Sequence, residues 1–273
     1  MRKTVFLFPL LFCLLSSTYA QTIINGKVLQ TSEQAIPYVN IGIKGKNIGT
    51  ISTEDGAFSL HLKTENAKDT LTFSCIGFEE LSLPIQKIIQ EKNSVFYLKE
   101  KILELKEVVI SNQKPKIKNI GTKSTNPFLW GSATSKDGKD IVEMGKLIKI
   151  KKTSEIQQLS VYLKGIYTNS VTFRINFYGV KDEMPAERLI EKQILCKKDL
   201  SKGWLEIDLT EYDLVFEKDF FVGIEFLPEK DSKGYLFSYG GQMGGSTLTR
   251  TSSLGTWKKT SGVTISMYLT VKQ

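Results

Sequence analysis

Histidine is nearly absent from this chain: His61 stands alone among 273 residues. A zinc peptidase centre draws on two histidines and an acid, and a zinc finger on several His or Cys, so both are excluded. A Ser-His-Asp triad would depend entirely on this one imidazole. His61 falls beside Ser59 on the polar side of an alternating run, where a surface imidazole is expected. Cysteine is almost as scarce. Of three residues, Cys13 lies in the N-terminal apolar run, which leaves Cys75 and Cys196 far apart in sequence. A disulfide framework uses more cysteines at closer spacing, so two buried, unpaired thiols are expected, with an interdomain disulfide as the alternative. The dense acidic spacing of a calcium loop is missing around Asp55, Asp137, Asp140, Glu206 and Asp208. Gly240-Gly241-Gln242-Met243-Gly244-Gly245 lacks the following Lys and helix of a phosphate loop, and reads instead as a mobile loop between strands. No metal and no cofactor is expected.

Long apolar runs are confined to the start. Arg2 and Lys3 precede an apolar run from Val5 to Leu15, then small and polar residues to Tyr19-Ala20. This is the pattern of a secretory signal peptide over residues 1–20, cleaved before Gln21. No later segment is apolar enough to span a membrane as a helix. The formal net charge of +8 is spread mostly as single lysines, which suits solvated strand faces. An exported protein rarely meets nucleic acid, so that partner is not expected, while a weak attraction to anionic lipid or polysaccharide follows from the charge.

What is abundant is short alternating apolar runs punctuated by turn residues. Val39, Ile41 and Ile43 share one face; Phe58, Leu60 and Leu62 share another after the Asp55-Gly56 hairpin turn; Leu71 to Ile76, Phe78 to Ile85 and Val95 to Leu98 continue the pattern. The count of strands up to Leu98 comes to about seven. Gly26-Lys27-Val28, Ile36-Pro37-Tyr38-Val39-Asn40-Ile41, Thr50 to Thr53, Asp55-Gly56-Ala57-Phe58 and Ile76-Gly77-Phe78-Glu79 resemble the carboxypeptidase regulatory-like domain. The resemblance implies a seven-stranded, transthyretin-like sandwich over residues 21–110 and a non-catalytic module. Such domains also precede the plug of TonB-dependent outer-membrane receptors, where a segment similar to Leu105-Lys106-Glu107-Val108-Val109-Ile110 follows. The residues that follow are too few for a barrel built of many strands of about ten residues each, so a transporter is not expected.

Residues 111–125, rich in Lys, Asn, Pro and Gly, read as a linker. From residue 126 to 273 the alternation returns: Val171, Phe173, Ile175 and Phe177 against Arg174, Asn176 and Tyr178; Leu205, Ile207 and Leu209 against Trp204, Glu206 and Asp208; then Phe220 to Phe226 and Ile265 to Val271. No window carries a long helical period, so the whole is expected to be all-β, two antiparallel sandwiches of which the second is jelly-roll-like.

By the same period of two, Tyr178, Trp204 and Tyr268 point away from the second core. With Arg174 and Glu206 beside them they are the ligand-binding candidates, since flat rings next to polar groups suit a sugar or peptide. Packing against the other domain is the competing account of those rings. No catalytic residue is expected. The function expected is that of a non-enzymatic, exported cell-envelope protein contacting a glycan or an envelope protein, in the periplasm, at the outer membrane or outside the cell. Its alternatives are an envelope hydrolase, acting as a carboxypeptidase or as a glycosidase with acids of the second domain, and an assembly partner of an outer-membrane receptor.

Overall fold

A computed structural model describes residues 21–101, 115–134, 140–228 and 235–273. The signal pattern of residues 1–20, the Leu105 to Ile110 segment, residues 111–114, Asp137 and the Tyr235 ring lie outside the described residues. Among the described residues, no helix is long and apolar enough to cross a membrane.

The chain is all-β. Among the described residues its first sandwich has seven strands: β1 (Gln21–Gln30), β2 (Asn40–Ile43), β3 (Ile48–Ile51), β4 (Ala57–Lys63), β5 (Thr70–Ser74), β6 (Leu81–Pro84) and β7 (Val95–Leu98). Sheet β4-β1-β7 faces sheet β3-β2-β5-β6 across a core of Val28, Val39, Ile41, Phe58, Phe73 and Phe96. The Asp55-Gly56 turn is tight, with Gly56 at φ +79°, but it is not a hairpin. It carries the chain from β3 in one sheet to β4 in the other. A second difference is the short helix α1 (Ile85–Glu91), whose Ile85 and Ile88 are buried. At seven residues it is too short for a 3.6-residue period to stand out from the strand pattern that precedes it.

The second sandwich begins earlier than the composition suggests. Strand β8 (Ile117–Gly121) lies inside the expected linker and pairs antiparallel with the last strand, β20 (Met267–Lys272). It is an edge strand with every residue but Ile120 exposed. An exposed edge that carries lysine, here Lys118, resists pairing with other chains and looks like linker in sequence. The remaining strands are β9 (Trp130–Thr134), β10 (Val142–Ile148), β11 (Ser154–Ile166), β12 (Ser170–Lys181), β13 (Met184–Arg188), β14 (Ile194–Asp199), β15 (Gly203–Asp208), β16 (Val215–Phe216), β17 (Phe220–Leu227), β18 (Tyr235–Arg250) and β19 (Lys258–Ile265).

In one layer β11 lies between β15 and β20; in the other the order is β12-β17-β10-β18-β19. Strand β18 belongs to both, pairing β9 and β11 with its first half and β10 and β19 with its second. The glycine-rich segment expected as a mobile loop is therefore the middle of a 16-residue strand. Gly244 (φ +90°) and Gly245 (φ +67°) form a bulge there, where pairing with β19 shifts between Met243 and Ser246. The core between the layers contains Phe173, Ile175, Phe177, Leu205, Ile207, Phe220, Val222, Ile224, Phe226, Phe237, Met267 and Leu269. The inward faces read from the alternation are the inward faces of the fold.

Cys75 and Cys196 are both free. Cys75 is buried, whereas Cys196 is only half-buried; burial pushes the Cys75 thiol up and the Cys196 thiol to about 11.

Candidate functional site

The two outer faces of the second sandwich have opposite fates. Arg174, Asn176 and Tyr178 alternate with core residues on β12 and so point outward, but the first sandwich and residues 251–257 cover them. Arg174 and Tyr178 are 0% and 4% exposed. Arg174 forks onto Glu225 of the neighbouring strand, its Nε donating to Oε2 and its Nη2 to Oε1, both at 2.8 Å. Its Nη1 donates to the Tyr38 carbonyl at 2.7 Å and its Nη2 also to Asn40 Oδ1 at 3.2 Å, both in the first sandwich. Asn176 Nδ2 donates to two carboxylates, Glu143 Oε1 at 2.9 Å and Glu225 Oε2 at 2.7 Å. Tyr178 Oη donates to Glu143 Oε1 at 2.8 Å, and Arg250 Nη2 donates to Glu143 Oε2. Two carboxylates thus converge on one amide, each paired with its own arginine and each fully buried. The Tyr178 ring packs edge-on to Trp257, 5.7 Å between centroids.

Arg174 and Tyr178 are therefore not ligand groups on an open surface. They belong to a buried ionic network that fastens the two sandwiches together. The loop at 251–257 completes the joint. Asp140 accepts from Ser252 Oγ at 2.8 Å and from the Ser253 backbone N–H at 2.9 Å. Thr256 N–H donates to Asn47 Oδ1 at 2.9 Å, and Gly45 N–H to the Leu254 carbonyl at 3.1 Å. Asn40 and Gly42, on the polar side of β2, are buried for the same reason.

Burial pushes the Glu225 carboxyl up, but the charge and hydrogen bonds of Arg174, with Arg250 nearby, pull it well below the usual range. A depressed folded value means that its contribution is complete above the ordinary glutamate value of 4.5 and is lost as pH falls through the folded one. The urea midpoint should be flat from about pH 7 to about pH 5 and fall below that. In Glu225→Gln the acid slope should be shallower; a slope equal to that of the parent would remove Glu225 as its source.

The other outer face is open. Trp204 on β15 pairs with Tyr162 on β11, the Tyr162 ring lies against Gly240 on β18, and Gly240 pairs with Trp130 on β9, which places these side chains in one row. A Cβ at Gly240 would sit 2.7 Å from the Tyr162 ring, so glycine is what allows that ring to lie down over β18. Trp204 also crosses the small, buried Ser160 to reach Tyr268, with ring centroids 4.9 Å apart, against 5.3 Å to Tyr162. Trp204 and Tyr162 are half-buried, Tyr268 underlies them at 6% exposed, and Trp130 is 60% exposed. Glu206, in the next row opposite Ser160, is exposed, and Lys123 Nζ stands 5.5 Å from the centre of the Tyr268 ring.

Three of the five candidate residues, Trp204, Tyr268 and Glu206, thus share a face. Tyr162 was legible from Ser160 and Tyr162 alternating with Leu159, Val161 and Leu163. Trp130 required the tertiary pairing of β9 with β18. Phe237, just before the glycine-rich segment, belongs to the core, and Tyr239 packs against that core.

Residues 24–110 match the CarboxypepD_reg-like domain family, so the first sandwich is such a domain. No curated protein matches the chain. Among solved structures, similarity is found to the cysteine protease and lectin-like domains of Cwp84, a surface layer associated protein of Clostridium difficile. The identity there is 6%, the TM-score 0.39, and the match covers 50% of this chain and 33% of that one. The infectious bursal disease virus Gt strain structure is similar at 11% identity and TM-score 0.31, over 92% of this chain and 63% of that one. The chain spans less than two thirds of either.

Proposed function

We propose, starting from a first sandwich that is a CarboxypepD_reg-like domain, that this chain is an exported, non-enzymatic cell-envelope protein that binds a glycan on its second sandwich. In this reading the first domain is a rigid mount and the open face of the β15-β11-β18-β9 layer is the ligand surface. Export rests on the signal pattern of residues 1–20, and envelope placement on that pattern together with the regulatory-like domain.

The observation that carries the reading is the aromatic row of Trp204, Tyr162 and Trp130, uncovered on one face, whereas Arg174, Asn176 and Tyr178 on the opposite face are buried. Flat rings flanked by Glu206 and Lys123 offer the apolar face of a sugar a surface to stack on and its hydroxyls hydrogen-bonding groups at the edge. A non-enzymatic role is supported by the state of the converging acids. Glu143 and Glu225 are fully buried beneath the first domain and residues 251–257 and are neutralised by Arg250 and Arg174, whereas glycoside hydrolysis needs two carboxyl groups flanking an accessible bond.

The test is a glycan-array measurement on residues 21–273, repeated with Trp130→Ala and Trp204→Ala. Binding should weaken about tenfold or more in each, as for a central aromatic anchor, with the thermal midpoint of Trp130→Ala unchanged because its ring is exposed. Absence of binding to every glycan would overturn the reading in favour of a protein ligand or a scaffold role.

A further inference from the structure

Beside the aromatic face lies a cleft of 720 Å³ where the turn after β8, the Gly244–Gly245 bulge and strand β10 meet. Among the described residues it is lined by Lys123, Lys146, Lys149 and Lys259 against a single acid, Glu183. Lys259 is committed to Glu183 at 2.6 Å. Lys123, Lys146 and Lys149 make no ion pair among the described residues.

Lys146 is the unusual one. It sits on the inward side of β10 at 5% exposure, and its Nζ donates to Thr122 Oγ1 at 3.0 Å, Thr264 Oγ1 at 2.6 Å and the Ile265 carbonyl at 3.0 Å. Three neutral acceptors hold the ammonium in place without compensating its charge, and burial pushes its pKa down to about 8. A fixed positive charge in a region of low dielectric, with exposed Lys149 and Lys123 above it, is an arrangement that an anionic group would complete. The cleft is also continuous with the aromatic face. Lys123 lines it while standing over the Tyr268 ring, and Gly121 lines it while pairing with Tyr268.

We infer that the ligand is an acidic glycan, with a carboxylate or phosphate in the lysine cleft and a neutral ring of the same chain on the aromatic face. The inference rests on the glycan reading above and narrows it. A lipid surface would call for several exposed apolar side chains beside the lysines, and among the described exposed residues lining the cleft only Met243 is one.

The experiment is calorimetric titration of residues 21–273 with polygalacturonate and a phosphomannan, against neutral galactan and mannan, for the parent, Lys149→Glu and Trp130→Ala. Lys149 and Trp130 are both exposed, so neither change should disturb folding. At least one acidic glycan should bind about tenfold tighter than its neutral counterpart, and the difference should shrink as salt is raised. Lys149→Glu should abolish that preference and leave neutral binding unchanged, whereas Trp130→Ala should weaken acidic and neutral binding alike. Equal affinity for acidic and neutral chains, or a preference that survives Lys149→Glu, overturns the inference while leaving glycan binding intact. Failure of all four glycans to bind overturns both.

Discussion

Arg174→Ala should cost about 3–5 kcal/mol of folding free energy, the usual effect of removing one partner from a buried ion pair. The loss has three sources. Glu225 would stay fully buried with its counter-charge gone, and the Tyr38 carbonyl and Asn40 Oδ1 would each lose a donor from the opposite sandwich. A whole domain is stable by only about 5–15 kcal/mol, so the variant should be at the edge of folding at 37 °C and show a large drop in urea midpoint. The double change Arg174→Met, Glu225→Leu is the informative companion. Replacing both charges with apolar groups of similar size removes the unpaired carboxylate, and such swaps are often close to neutral. It should recover most of the loss. If the single variant were as stable as the parent, the network would not be what joins the sandwiches. If the double variant were no better than the single, the cost would lie in the lost contacts to Tyr38 and Asn40.

Gly49→Val should separate the two sandwiches. A Cβ at this position would lie 2.6 Å from the Ser253 carbonyl oxygen and 3.0 Å from Ser252 Oγ, both across the joint, and 3.0 Å from the Ile41 carbonyl oxygen. The nearest obstacle is backbone, held by the Asp140 hydrogen bonds, so it cannot turn aside as a side-chain tip would. The larger valine must push β3 away from residues 251–257. Because each sandwich has its own apolar core, the expected result is two calorimetric transitions in place of one, with new proteolytic cuts between 251 and 257. Gly45→Ala serves as the control. It lies in the connection just before β3, at φ +75° with nothing within 4 Å of an added Cβ. It should lower stability by only about 1 kcal/mol through its left-handed backbone and leave a single transition. A single, unshifted transition in Gly49→Val would mean that the joint yields.

Much of this architecture was readable from the order of residues. Phe173, Ile175 and Phe177 against Arg174, Asn176 and Tyr178 state which side of β12 is inward, and the same holds for Leu205 against Trp204 and Met267 against Tyr268. Alternation is a local property, since successive side chains of a strand point to opposite faces whatever else the chain does. Strand β8 and the middle of β18 escaped for reasons that are equally local. Ile117-Lys118-Asn119-Ile120 has little alternation because an exposed edge needs none, and the bulge glycines of β18 look like a loop because the same left-handed backbone serves both.

The sequence by itself determined that the chain is all-β, that the first sandwich is a regulatory-like domain, and that Tyr178, Trp204 and Tyr268 lie outside the second core. Only the tertiary structure decided that Tyr178 and Arg174 are sealed in a joint while Trp204 keeps an open face. The period of two records which way a side chain points from its own strand. What it meets there depends on contacts between residues as distant as Asn40 and Arg174, and no pattern within a single strand carries that information.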